Sequence, residues 1–326
     1  MKPVRELRLV FLGTSEFAVS SLDALVIAGF MPVCVVTAPD KPAGRGMKLN
    51  ASPIKKYALT KGIEILQPEK LKDDAFIQAL KLFQADIQVV VAFRMLPEIV
   101  WNMPPMGTIN LHASLLPQYR GAAPINWAII NGEKETGLTT FKLKQEIDTG
   151  DILLQEKISI GDKETAGELH DRMKIAGATL LVKTVSGLIS DWLKPTSQSV
   201  TLDSGSRASN SVSSVLKTAP KIFTETCKID WNQSLQSIYD LIRGLSPRPT
   251  AFTLFSGKIF KIYRAEMENS MTSSSQDYLT DGSTFLKFRC TGGFIAVTEI
   301  QMEGKKKMLI EEFLRGFRFS PLNKNF

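Results

Sequence analysis

Leu7-Arg8-Leu9-Val10-Phe11-Leu12-Gly13-Thr14-Ser15-Glu16-Phe17 decides the fold class. Residues 7–12 read as a buried strand and Gly13-Thr14-Ser15 as a turn. The amphipathic run from Phe17 to Gly29 predicts a helix ended by glycine. Working outward, apolar runs recur at Val33 to Thr37, Ile63 to Leu66, Ile87 to Ala92 and Thr108 to His112. Helical patterns at Ile54 to Lys61 and Ala75 to Phe83 lie between them. That alternation implies an α/β fold with a mostly parallel sheet covered by helices. Ligands of such sheets sit beyond the carboxyl ends of strands, which points to the turn after Ala92 and to the strand end carrying Asn110 and His112.

Two more strand-like runs, Leu138 to Leu143 and Ile152 to Ile160, enclose a loop that holds Asp148, and a helix is expected from Ala166 to Leu193. Thr165 and Glu168 have the spacing of a capping box at its start, which gives His170 a structural setting. The Ser-rich stretch after Thr196 reads as a linker over 196–214, dividing a first domain, 1–195, from a second, 215–326. In the second, a helix over Ser234 to Arg243 is joined by short strands at Ala251 to Phe255, Lys258 to Tyr263, Phe285 to Phe288, Ile295 to Gln301 and Met308 to Ile310. They suggest a small β-barrel.

At 326 residues, 44% hydrophobic and 22% charged, the chain is long enough for two buried cores. Three dispersed cysteines, Cys34, Cys227 and Cys290, argue against a disulfide framework or structural zinc, and a reducing cytoplasm is the expected location. No run reaches the length of a signal-peptide core or a membrane span. The net charge of +7 is concentrated late, with an excess of +2 over residues 1–200 and +5 over 201–326. A polyanion such as nucleic acid is one partner that fits; a solvated basic surface is the other reading.

Asn110 and His112 leave the same face of a strand, and His112 is one of two histidines in the chain. Transfer of an acyl group to an amine needs a donor for the developing oxyanion and a group to manage the amine proton. The Asn110 amide and His112 can supply these, with Asp148 orienting the imidazole and favouring its charged form. Taken alone, Asn-x-His reads more readily as a strand end whose polar groups satisfy local backbone. Ser114 lacks the G-x-S-x-G elbow of a serine nucleophile.

The run NLHASLLPQYRGAAP from Asn110 to Pro124, with the later EIDTGDIL, resembles the folate-dependent formyltransferases. FLGTSEFA, TAPDKPAGRGMKLNASPIKKYA, TAPKIFTETCKIDW and EEFLRG extend the resemblance over nearly the whole chain, to the branch of that family that formylates methionyl-tRNA. It implies a Rossmann-like formyl-transfer domain followed by an OB-like β-barrel that helps hold tRNA. It makes Asn110, His112 and Asp148 the catalytic set and 10-formyltetrahydrofolate the donor, with no metal. Phe93, Arg94, Met95, Leu96, Pro97, Ser114, Leu115, Leu116, Pro117, Glu146 and Ile147 become the donor pocket. Initiator methionyl-tRNA becomes the partner of a monomer, met by Lys41, Arg45 and Lys48 of a long loop and by Lys217 and Lys221.

Gly44-Arg45-Gly46 in that loop lacks the third glycine of a dinucleotide fingerprint, and its Arg and Lys suit phosphate contact. The chain departs from the family pattern in three turns. Gly-Thr-Ser stands at 13–15 where Gly-Thr-Pro is frequent; the turn at 92–97 is one residue short; and Ser-Pro-Arg-Pro-Thr at 246–250 replaces Asn-Pro-Trp-Pro-Gly. Two other readings stay open. One is the same chemistry on an amino sugar nucleotide or glycinamide ribonucleotide, although Glu16 stands where the latter calls for a phosphate cradle. The other is an RNA-binding protein with a degenerate α/β domain.

Overall fold

The computed structural model describes residues 7–43, 48–198, 215–270 and 276–318. Its central sheet is built from β1 (Leu9–Gly13), β2 (Cys34–Val36), β5 (Ile65–Leu66), β6 (Ile87–Val91), β7 (Thr108–His112), β9 (Glu135–Lys142) and β10 (Ile152–Ser159). The strand order is β10-β9-β7-β6-β1-β2-β5, with parallel pairing from β7 through to β5 and an antiparallel β7–β9 pair. All five residues of β1 are buried, as a strand covered on both faces requires. The mostly parallel sheet expected of the sequence is the one found.

Helices α1 (Glu16–Ile27), α2 (Pro53–Thr60) and α3 (Asp74–Leu82) follow the first strands. Phe17, Ala18, Leu22 and Leu25 form the buried stripe of α1. Ser52 caps α2 by accepting from the Lys55 N–H, with Pro53 in the first turn where its missing donor costs nothing. Asp73 caps α3 by accepting from the Ala75 N–H. One core face joins Val10, Leu12, Val36 and Val90 to Phe76, Ile77 and Leu80 of α3. The expected capping box also forms: Glu168 Oε2 accepts from the Thr165 N–H at 2.9 Å and Thr165 Oγ1 from the Glu168 N–H at 3.3 Å, opening α6 (Ala166–Ile189).

Four short elements carried too weak a periodicity to be read from sequence. The long loop after β2 contains an antiparallel hairpin, β3 (Lys41–Ala43) with β4 (Lys48–Asn50), while α4 (Glu98–Trp101) and α5 (Pro124–Ile130) begin directly after Pro97 and at Pro124. Two-residue strands β8 (Arg120–Gly121) and β11 (Thr218–Ala219) pair with each other.

The C-terminal part holds α7 (Leu235–Leu245), β12 (Ala251–Phe255), β13 (Lys258–Asn269), β14 (Tyr278–Thr280), β15 (Leu286–Cys290), β16 (Gly293–Met302), β17 (Met308–Leu309) and α8 (Ile310–Gly316). Its strands form one curled antiparallel sheet in the order β12-β13-β16-β15-β14, with β17 also on β16. Phe255, Phe260, Phe288, Ile295 and Val297 meet Ile238, Ile242 and Leu245 of α7 and Phe313 of α8 in its core. The expected strand at 308–310 ends one residue early because Ile310, Phe313 and Leu314 bury a helical stripe instead. The fold clusters into two compact units. One comprises Met1–Gly121, Gly137–Ile158 and His170–Thr218; the other comprises Ala122–Thr136, Ser159–Leu169 and Ala219–Phe326. Of the expected linker, residues 199–214 lie outside the described part.

Candidate active site

β7 ends in the sheet interior, where Asn110 lies level with Val90 of β6 and Phe141 of β9. Asn110 is half-buried and His112, on the same face, is 7% exposed. The loop between β9 and β10 brings Asp148 to His112, with Oδ2 3.7 Å from Nδ1 and the Asp148 side chain 12% exposed. Asp148 has a left-handed backbone, φ +53. Its Oδ2 accepts from the Gly121 N–H at 2.9 Å.

The other imidazole nitrogen is also committed. His112 Nε2 lies 2.9 Å from the backbone oxygen of Tyr119. A carbonyl only accepts, so Nε2 carries the hydrogen and Nδ1 is the nitrogen turned to Asp148. Tyr119 is buried and is held in turn by its N–H, which donates to the Lys217 oxygen at 2.7 Å. Tyr119 thus holds the imidazole from the Nε2 side, and Asp148 faces it at Nδ1. With Asn110 beside it, the set offers an amide donor, one titratable nitrogen and one fixed carboxylate in a nearly dry corner.

The turn after β7 is braced by its own hydrogen bonds. Ser114 is wholly buried and its hydroxyl donates to the Gln118 oxygen at 2.6 Å, which removes it as a nucleophile and makes it a support for the turn. Thr139 Oγ1 donates to the Ser114 oxygen at 2.6 Å and accepts from the Leu116 N–H at 3.1 Å. Leu116 is buried, while Leu115 and Pro117 keep part of their surface. Close approach also fixes two glycines: a Cβ on Gly137 would lie 2.2 Å from the Glu156 oxygen, and one on Gly150 only 1.5 Å from the Lys142 oxygen.

Beyond β6, Phe93 is half-buried, Arg94 and Met95 are exposed, Leu96 is buried and Pro97 is half-buried. Arg94 donates to the backbone oxygens of Pro68 and Glu69 and lies over the Phe93 ring at 5.5 Å. An open cleft of about 400 Å³ is lined by Thr14, Ala38, Pro39, Lys41, Glu69, Phe93 and Arg94, at the carboxyl ends of β1, β2 and β6. Glu146 and Ile147 are exposed on the Asp148 loop.

Lys41 starts the β3–β4 hairpin and is exposed, Lys48 lies in β4, and Arg45 is outside the described residues. The hairpin base is anchored by Lys55 Nζ on Asp40 at 2.6 Å, a bond that holds the Asp40 carboxyl below the usual range, helped by Gln67. Lys217 and Lys221 are exposed, and Lys221 lies 5.4 Å from the centre of the exposed Phe223 ring. Among the described residues no group of three or more His, Cys, Asp or Glu could hold a metal ion, and no helix is long and apolar enough to cross a membrane.

Residues 7–185 match the family model described as formyl transferase, and 221–318 the one described as formyl transferase, C-terminal domain. Methionyl-tRNA formyltransferase of Bacteroides thetaiotaomicron is 49% identical over 321 residues, 97% of both chains. The chain belongs to the methionyl-tRNA formyltransferase family. The Flavobacterium johnsoniae member is 45% identical, over 97% of this chain and 98% of its own. The family resemblance read from the sequence motifs is thereby borne out.

Solved structures agree in fold. A sugar 3N-formyl transferase solved in the presence of dTDP and 5-N-formyl-THF matches with TM-score 0.65 at 19% identity, covering 92% of this chain and 99% of that one. The methionyl-tRNA formyltransferase from Clostridium thermocellum matches with TM-score 0.53 at 16% identity, covering 91% and 98%. Sequence reasoning missed the Tyr119 carbonyl, the Gly121 N–H and Gln198, described below. Only Gly121 left a sequence signal, as the glycine of the Arg-Gly-Ala-Ala-Pro run, and its φ of +128 explains the residue type.

Proposed function

We propose that this chain transfers the formyl group of 10-formyltetrahydrofolate to the free α-amino group of methionyl initiator tRNA. The carrying observation is full-length likeness to enzymes of that name, at 45–50% identity, in a chain whose fold brings Asp148 to His112 on the strand that also bears Asn110. The amine nitrogen attacks the formyl carbon, the bond from that carbon to the folate nitrogen breaks, and the proton lost by the amine ends on that nitrogen. The Asn110 amide steadies the oxyanion, and His112 carries the proton on Nδ1 because Nε2–H is engaged by Tyr119. Asp148 stabilises the imidazolium formed on the way.

In this reading the donor lies against Phe93 to Pro97, Leu115 to Pro117, Glu146 and Ile147, with Ser114 holding the turn from behind. The cleft joins two of those residues, Phe93 and Arg94, to Lys41 of the basic hairpin, which suits a place where donor and acceptor meet. Lys41, Arg45, Lys48, Lys217 and Lys221 contact tRNA, mainly through phosphates, which demand charge more than exact geometry. A formyl-transfer domain over 1–195, a linker over 196–214 and a tRNA-binding domain over 215–326 remain the functional division, in a cytoplasmic monomer.

The test is purified protein with 10-formyltetrahydrofolate and charged initiator or elongator methionyl-tRNA. Formylation of initiator tRNA well above elongator is expected. Transfer to an amino sugar nucleotide in place of tRNA, or tRNA binding with no transfer to any amine, overturns the assignment.

A further inference from the structure

Asp148 is held from two sides, and only one of them is its carboxylate. Gln198 Nε2 donates to the Asp148 backbone oxygen at 3.0 Å and to the Gly150 oxygen at 2.7 Å. Its Oε1 accepts from Arg120 at 2.6 Å. Arg120 is the neighbour of Gly121, whose N–H donates to Asp148 Oδ2. The bonds therefore close a ring: Asp148 backbone, Gln198 amide, Arg120, Gly121 N–H, Asp148 carboxylate. The segment that delivers Gln198 is fixed by a reciprocal backbone pair between Thr196 and Ile152, at 2.7 and 2.8 Å.

The residue type follows from the partners. Two carbonyl oxygens need a donor and the Arg120 guanidinium needs an acceptor, so one carboxamide in one orientation satisfies all three; flipped, its oxygen would face two oxygens and its NH₂ a cation. Asp148 sits at φ +53, a region that non-glycine residues occupy only when their surroundings hold them. The Gly121 bond fixes one carboxylate oxygen, and the Gln198 bonds fix the backbone that carries it.

We propose that Gln198 is a positioning residue for formyl transfer, setting the Asp148 loop so that the carboxylate faces His112 Nδ1. This rests on the reading of His112 and Asp148 given above. Gln198 is hydrogen-bonded to neither His112 nor the cleft-lining residues, so its effect on the chemistry runs through the Asp148 loop.

Two variants test it, Gln198→Ala and Gln198→Glu; the second keeps the shape and an acceptor for Arg120 but has no N–H to give the two carbonyls. Both are expected to lower kcat on methionyl-tRNA on the order of 10- to 100-fold, the scale of a small misplacement of a catalytic group. KM for tRNA should stay within about twofold, whereas KM for the folate donor follows any shift of Glu146 and Ile147 on the same loop. In an Asp148→Asn background, Gln198→Ala should cost less than about threefold, since the charge it positions is already gone. Unchanged kcat in both single variants, beside an Asp148→Asn variant that has lost activity, overturns the proposal. So does an undiminished Gln198→Ala effect in the Asp148→Asn background. If Asp148→Asn and His112→Ala themselves leave kcat intact, the reading of the centre has failed and the proposal falls with it.

Discussion

Asp148→Asn probes the electrostatics of the candidate centre with little change of shape. The carboxylate stands 3.7 Å from His112 Nδ1, the two side chains being 12% and 7% exposed. At that spacing a unit charge pair is worth about 1 kcal/mol in the dielectric of water and about 4.5 kcal/mol at an effective dielectric of ~20. At ~1.4 kcal/mol per tenfold in rate, those limits correspond to losses of about 6-fold and about 2,000-fold. The small exposure that both side chains keep holds the effect below the upper limit, and the middle of the range, on the order of 100-fold, is expected. A larger loss would follow if the substitution also switched the imidazole tautomer, but the Tyr119 oxygen already dictates which nitrogen holds the hydrogen. The asparagine oxygen can still accept from Gly121, so the loop should keep its place. Single-turnover formylation at saturating donor and tRNA isolates the chemical step. The predicted result is a fall in rate with both KM values nearly unchanged. A rate within about threefold of the unaltered protein, below the weakest electrostatic limit, would refute the role assigned to the charge.

Gly150→Ala places a Cβ 1.5 Å from the Lys142 oxygen, so the β9–β10 loop must move. A loss on the order of 3 kcal/mol or more is expected by urea denaturation, with formyl transfer falling alongside; a shift below about 1 kcal/mol would show that the loop yields easily. Asp240 and Arg243 form an ion pair at 2.7 Å with each side chain 4% exposed, and Asp240→Ala leaves the guanidinium to the Gly161 and Glu164 oxygens and the Tyr239 ring, with no carboxylate hydrogen-bonded to it among the described residues. That should cost about 3–5 kcal/mol, read from the denaturation midpoint, and an Asp240→Ala, Arg243→Leu double variant should recover part of it if the stranded charge is the cause. Burial raises the Glu168 pKa, but the Thr165 N–H and Arg264 outweigh it and hold the carboxyl below its usual value. A depressed acid stabilises the fold above its unfolded pKa and loses that contribution as pH falls through the folded one. Glu168→Gln should thus be less stable than the unaltered chain near pH 7, and melting curves should converge as pH drops from about 5 towards about 3. A gap independent of pH would contradict this.

Legibility in the sequence tracked side-chain periodicity. The strands Thr108–His112 and Ala251–Phe255 have the limits their apolar runs announce, and the Thr165–Glu168 box starts α6 where expected. Seven-residue α5 and α8 did not stand out, because two turns supply too few positions for a stripe to be told from a strand end. In the candidate site, Asn110, His112 and Asp148 were visible because their side-chain types are the ones the proposed chemistry calls for. Tyr119 and Gly121 contribute backbone groups that every residue owns, and Gln198 is separated by 50 residues from Asp148 and 78 from Arg120.

The order of residues settled the α/β class, the family and the chemistry on offer, since apolar period and functional-group type are local properties of a chain. Folding alone settled that His112 Nε2 meets the Tyr119 oxygen, that Ser114 supports the turn, and that the Asp148 loop is closed by Gln198 and Arg120. Those outcomes depend on which carbonyl, amide or charge arrives from a distant segment, and hydrogen-bond geometry exists only once the segments have met.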